Sequence, residues 1–214
     1  MGRIREWREE EAAALVEEAR ELLAAGRLIA LPTDTFYALG AHPFKEEALV
    51  SLFALKGRPP GKPVLLLVTG PEMLLQVVRE VPPLARKLMA IFWPGPLTLV
   101  LPARPELSLF VTGGTGKVGV RQPRQPVTCR LLDALGFPLT GTSANRAGQS
   151  PLTRAGEVAR EFGEMVPLIL DAGDCPGGEP STLVEATGPQ PRLLRAGAVP
   201  RERLAEIVPE ILTN

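Results

Sequence analysis

Apolar positions along the chain recur with two periods, and the change from one to the other marks out the elements. Between Glu9 and Ala25, Leu15, Ala19, Leu22 and Leu23 form one helical stripe with Glu17, Glu18 and Arg20 off it, and Gly26 follows as a left-handed cap. Residues 46–55, 72–79, 84–92, 127–135 and 201–208 read as further helices, with Pro82-Pro83 separating the second from the third. One more ends at Phe162, with Ser150-Pro151 and Thr153 as candidate caps. Short apolar runs at 27–31, 64–68, 97–101, 118–121, 137–141 and 166–170 are bounded by Pro, Gly or polar residues, as buried strands are. Residues 181–185 and 192–195 read as two more strands around a turn at Gly188-Pro189, and 102–117 as a loop. Strands and helices alternate without an internal repeat. The pattern predicts one α/β domain over residues 1–214, a mixed parallel and antiparallel sheet flanked by helices.

Polar residues gather where the strands end. In Lys56-Gly57-Arg58-Pro59-Pro60-Gly61-Lys62-Pro63, three cations sit in a loop stiffened by Gly and Pro, between a helix and a strand. Such a loop either meets an anion or is an ordinary basic turn. Four other strand ends are polar: Thr33-Asp34-Thr35, Arg121, Thr142-Ser143-Ala144-Asn145 with Ser150, and Ser181-Thr182 with Arg195. Each also has a plainer reading, as a capping turn, a polar turn or a surface cation. Were they to converge, the cavity would hold many cations and hydroxyls and few carboxylates. That lining suits phosphate and carboxylate ligands, and chemistry by charge stabilisation and positioning more than by acid and base.

Composition narrows the function classes. The 214 residues carry 24 acidic and 24 basic side chains, so bulk charge calls for neither nucleic acid nor an anionic membrane, and affinity for anions must be local. Cys129 and Cys175 stand far apart without a C-x-x-C pair, against a zinc site or a disulfide framework and in keeping with a reducing cytoplasm. No stretch reaches the ~20 apolar residues of a membrane span, and residues 1–8 are no leader peptide. The Arg-rich basic set and the 23 prolines fit a thermophilic source or a GC-rich genome equally. His42, the one histidine, lies outside every cluster, so no Ser-His-Asp or Cys-His arrangement exists. Thr112-Gly113-Gly114-Thr115-Gly116-Lys117 is not a nucleotide P-loop, because Val111 and Val118 stand where a glycine and a hydroxyl are needed.

Seven segments in one order, Pro32 to Gly40, Lys56-Gly57-Arg58-Pro59, Pro94 to Thr98, Val118 to Arg121, Thr142 to Asn145, Ser181-Thr182 and Leu194 to Gly197, closely resemble the YrdC/Sua5 family. The resemblance implies a twisted mixed-sheet α/β domain with a large positively charged cavity. It also implies a nucleotidyltransferase that makes L-threonylcarbamoyladenylate and pyrophosphate from L-threonine, bicarbonate and ATP, for the N6-threonylcarbamoyladenosine of tRNA. By residue-by-residue matching, Lys56 and Arg58 would be catalytic, and Thr35, Arg121 and Ser181 would hold threonine. Arg58, Lys62, Ser143, Asn145, Ser150 and Arg195 would line the nucleotide, with magnesium arriving on ATP. Further partners implied are tRNA and the threonylcarbamoyl-transferase complex. The sequence departs from longer members at Leu67, where they often carry His, and at Lys62, where they carry Asn. It ends at Asn214 without their added domain, as the short, single-domain form does. The alternatives within the same resemblance are a non-catalytic double-stranded-RNA-binding module, a paralogue of the same fold, and a carbamoyl-transfer domain of the hydrogenase-maturation type.

Overall fold

In the computed structural model, which describes residues 2–213, the strands divide between two sheets. The first half of the chain runs β1 (Arg3–Glu6), α1 (Ala12–Ala24), β2 (Ile29–Leu31), β3 (Ala38–Gly40), α2 (Glu46–Lys56), β4 (Leu66–Leu67), α3 (Gly70–Leu75), α4 (Pro83–Phe92) and β5 (Leu97–Pro102). The second half runs α5 (Leu109–Thr112), β6 (Lys117–Arg121), α6 (Pro126–Leu135), β7 (Leu139–Thr140), β8 (Thr142–Ser143), α7 (Ala155–Phe162), β9 (Leu168–Asp171), β10 (Thr182–Glu185), β11 (Arg192–Arg195), α8 (Arg201–Ala205) and β12 (Leu212–Thr213). One sheet has the order β1-β9-β2-β3-β8 and the other β12-β11-β10-β5-β6-β4-β7. Both mix parallel pairs, such as β2 with β9 and β5 with β10, with antiparallel ones, such as β2 with β3 and β5 with β6. The mixed pairing and the flanking helices are as the sequence predicts.

Helices form where the stripe predicts them. Leu15, Ala19 and Leu23 of α1 and Ala155, Val158, Ala159 and Phe162 of α7 are buried, one face of each helix joining a continuous apolar core. Burying such large side chains contributes roughly 1.5–3 kcal/mol apiece, which is what holds these helices on the sheets.

The differences from expectation lie in short elements and element ends: the helix expected at 72–79 spans Gly70–Leu75, the one at 201–208 ends at Ala205, and the strand at 64–68 narrows to Leu66–Leu67. Arg3–Glu6 is a strand at a sheet edge, and its charged side chains pair outward, Arg3 and Arg5 with Glu18. Ala38–Gly40 pairs with β2 and Thr142–Ser143 pairs with β3, so two segments read as polar strand ends complete a sheet. Residues 109–112 form a helical turn capped by Ser108, whose Oγ accepts from the Phe110 N–H at 3.2 Å. Neither Ser150 nor Thr153 caps α7. Its N-cap is Arg154, and the Glu157 carboxylate instead accepts from the Thr153 N–H at 3.3 Å.

The two sheets meet where β7 passes into β8. Thr140 Oγ1 accepts from the Ala41 N–H at 2.8 Å and donates to the Leu39 carbonyl at 3.0 Å, lacing β7 onto β3. Between them, a Cβ at Gly141 would stand 2.5 Å from Leu67 Cγ and 2.7 Å from Leu65 Cδ1, so only glycine lets the chain cross there.

Candidate active site

A cavity of about 380 Å³ opens between the sheets, its wall drawn from both. Thr33, Thr35, Tyr37, Thr142 and Ser143 come from the β2–β3 connection, β3's entry and β8. Lys117, Gly119 and Arg121 alternate along β6 with the fully buried Val118 and Val120, so period two sends one set to the cavity and the other to the core. Leu183 and Glu185 follow the same rule on β10. Arg58 arrives from the loop after α2, and Arg195 from the end of β11.

Arg121 is held on three sides. Its Nε donates to the Gly95 carbonyl at 3.0 Å, its Nη1 to Thr35 Oγ1 at 3.2 Å and its Nη2 to Asp34 Oδ1 at 2.5 Å. Thr33 sets the loop that delivers Thr35, its Oγ accepting from the N–H groups of Thr35 and Phe36 at 3.1 and 3.2 Å. Ser181 Oγ lies 2.8 Å from Thr98 Oγ1, and Arg195 Nη2 donates to the Ser181 carbonyl at 2.7 Å and to its Oγ at 3.2 Å. Arg58 donates to the carbonyls of Lys62 at 3.1 Å and Pro63 at 2.5 Å, with its guanidinium carbon 5.8 Å from the centre of the Phe53 ring. Burial, then the neighbouring Arg195, lowers the Arg58 pKa, while burial and then Arg121 lower that of Arg195. Arg58 thus feels the charge of Arg195, and Arg195 that of Arg121, and an anion held by Arg58 and Arg195 relieves the repulsion.

Of the residues expected from the resemblance, Arg58, Ser143, Thr35, Arg121, Ser181 and Arg195 line this one cavity. Lys56, Lys62, Asn145 and Ser150 do not. Lys56 is buried beneath the wall, with Nζ donating to the carbonyls of Ser143 at 2.5 Å and Asn145 at 2.7 Å and reaching Asn145 Oδ1 at 3.4 Å. All three of its N–H bonds are thus directed at the Ser143–Asn145 turn. Burial, and next the charge of Arg58, lower its pKa to about 8. Asn145 organises the same turn, accepting from Ser143 Oγ at 2.6 Å and donating to the carbonyls of Arg146 and Gln149 at 2.9 and 2.8 Å. The α2 end that carries Lys56 closes at Gly57, whose φ of 61° is the left-handed cap glycine supplies. Lys62 and Ser150 point to solvent.

Sequence reading passed over Lys117, Glu185 and the partner of Arg121. Lys117 Nζ pairs with Glu185 Oε1 at 2.6 Å, and Thr187 Oγ1 donates to the same oxygen at 2.8 Å. Burial works to raise the Glu185 pKa, and these partners outweigh it and hold the carboxyl below its usual value. The available signal was the two-residue period back from Arg121 and forward from Ser181. His42 packs on Phe137, ring centres 4.4 Å apart, and its Nδ1 accepts from the Phe44 N–H at 3.3 Å, outside the cavity.

Residues 21–197 match the family model of Sua5, YciO and YrdC proteins, described as telomere recombination. The chain belongs to this family. It is 36% identical over 209 residues to a threonylcarbamoyl-AMP synthase of Pyrococcus abyssi, covering 98% of this chain and 59% of that relative. A putative threonylcarbamoyl-AMP synthase of Mycobacterium tuberculosis is 38% identical over 186 residues, 87% of this chain and 85% of that one. The crystal structure of Pyrococcus abyssi Sua5 complexed with L-threonine superposes with a TM-score of 0.91 at 34% identity, over 100% of this family member and 62% of the solved chain. The chain thus spans about three fifths of the archaeal relative and most of the mycobacterial one.

Proposed function

We propose that the protein is an L-threonylcarbamoyl-AMP synthase, forming the adenylate and pyrophosphate from L-threonine, bicarbonate and ATP. The observation that carries the reading is the row of Arg58, Arg195 and Arg121 with the hydroxyls of Thr35, Ser143 and Ser181 in one cavity. The naming of the mycobacterial relative, most of whose length this chain spans, supports it, and so does the L-threonine in the archaeal Sua5 crystal.

In this reading the threonine carboxylate takes the fork of Arg121, and Thr35 and Ser181 bond its polar groups. The triphosphate lies along Arg58 and Arg195, near Ser143, with magnesium entering on ATP as part of the substrate. The threonine amine attacks the carbon of carbon dioxide, formed from bicarbonate with loss of hydroxide as water, and gives up a proton to leave a carbamate. A carbamate oxygen then attacks the α-phosphorus in line, the bond to the β-phosphate oxygen breaks, and pyrophosphate leaves with that electron pair. Two anions must approach each other in this step, and Arg58 and Arg195 offset the charge that accumulates. Lys56 acts from below: it fixes the Ser143–Asn145 turn against α2 and adds its charge to the phosphate end. The residue assignments, the cytoplasmic setting, and tRNA and the threonylcarbamoyl-transferase complex as downstream partners belong to this proposal.

The test is incorporation of labelled bicarbonate into an adenylate. Label is expected in the adenylate only when both L-threonine and ATP are present. Purified protein that releases no pyrophosphate and yields no labelled adenylate would overturn the reading, and salt-sensitive binding of double-stranded RNA in its place would move the function to the rival class.

A further inference from the structure

Among the described residues, the cavity wall carries four cations, and they fall into two classes. Arg121 and Lys117, both on β6, each have a carboxylate partner: Asp34 at 2.5 Å for the first and Glu185 at 2.6 Å for the second. Arg58 and Arg195 have neutral acceptors alone, the carbonyls of Lys62 and Pro63 for one and the carbonyl and Oγ of Ser181 for the other. No carboxylate of the described residues lies within 4.0 Å of either guanidinium.

Hydrogen bonding alone does not call for a carboxylate at position 34. Asp34 Oδ1 makes both bonds, accepting from Arg121 Nη2 at 2.5 Å and from the Arg124 N–H at 3.1 Å, and Oδ2 is buried without a partner. An amide oxygen could accept the same two bonds. What the acid adds is its charge, in a pair whose side chains are only 4% and 14% exposed, where water screens little. A cation beside a carboxylate presents a dipole to the cavity, and a dipole's field falls off faster than that of a lone charge.

We propose that Asp34 and Glu185 partition the cavity by charge, each cancelling one cation so that Arg58 and Arg195 form its single seat for a polyanion. The Arg121 end is then left to a ligand of the amino-acid class, a zwitterion whose carboxylate needs a fork and which brings no net charge. This rests on reading the cavity as a joint seat for nucleotide and amino acid, and it makes Asp34 and Glu185 determinants of which ligand goes where.

Inorganic tripolyphosphate is the probe, titrated calorimetrically into the whole protein at low salt, with L-threonine absent and then saturating. Wild type is expected to bind one equivalent, which L-threonine does not displace. Asp34→Asn is expected to bind it about tenfold more tightly, or to take up a second equivalent, and L-threonine then competes. Glu185→Gln, at the more open pair, is expected to shift affinity the same way, so the test stands if Asp34→Asn fails to fold. Asp34→Asn combined with Arg121→Gln restores the net charge, and with it the wild-type tripolyphosphate affinity. Unchanged affinity and stoichiometry in the folded variants, or no binding by wild type, overturns the partition. Because no turnover is measured, that failure is distinct from failure to make the adenylate, which would reject the synthase reading instead.

Discussion

Lys56 is where residue type and residue role separate most. A lysine where a helix ends and a Gly/Pro loop begins reads as a free cation, yet its ammonium is enclosed by three acceptors of the Ser143–Asn145 turn. Its folded value of about 8 lies below the ordinary 10.5, so between those two pH values the unfolded chain holds a proton that the folded chain has lost. Stability contributed at this site therefore rises with pH through that window. Wild type is expected to gain stability over Lys56→Met as pH climbs from about 8 to 10.5, and urea unfolding below, within and above the window checks it; parallel curves would refute the burial effect. Arg58 differs, since it lines the cavity itself. Arg58→Ala is expected to lower adenylate formation by about 2–4 kcal/mol of transition-state stabilisation, roughly thirtyfold to a thousandfold, mostly in kcat. A variant within a factor of about three of wild type would exclude it from the chemistry.

At the scale of elements, the cavity depends on how β7 and β8 pass from one sheet to the other. Thr140→Val keeps shape and β propensity but removes the hydroxyl that accepts from the buried Ala41 N–H and donates to the Leu39 carbonyl. The expected cost is about 1–3 kcal/mol, read as a lower urea midpoint at unchanged slope. Gly141→Ala pushes a methyl into Leu65 and Leu67, and displacing β8 moves Ser143 with it. That variant is expected to lose stability by about 1–3 kcal/mol and adenylate formation by a larger factor than Thr140→Val does.

For the whole molecule, the cavity wall is drawn from both sheets, so ligands bridging it couple them. ATP and L-threonine together are expected to raise the melting temperature beyond the sum of their separate shifts. Ligand at about a hundredfold over its Kd adds about 2.7 kcal/mol, or roughly 5–11 °C for a domain of this size. Additive shifts in a thermal scan would show two independent sites. With no net charge on the chain, any attraction for polyanions is local, and no helix among the described residues is long and apolar enough to cross a membrane.

Helices and long strands were legible because apolar spacing is a local property: α2, α4, α6, β5 and β11 fall within a residue or two of the expected bounds. The seven motifs in order were legible too, and with them the family and most of the cavity wall. What sequence spacing could not reveal is pairing. Ala38–Gly40 and Thr142–Ser143 are too short to announce a strand, and they pair only because each finds the other a hundred residues away. The same holds for charge. Lys56 and Arg58 look alike in the sequence, but burial against carbonyls turns the first into a fastener and an open wall leaves the second free for a ligand. Which of the four cations has a carboxylate partner was decided by acids that the chain brings back from positions 34 and 185, distances over which local sequence carries no information.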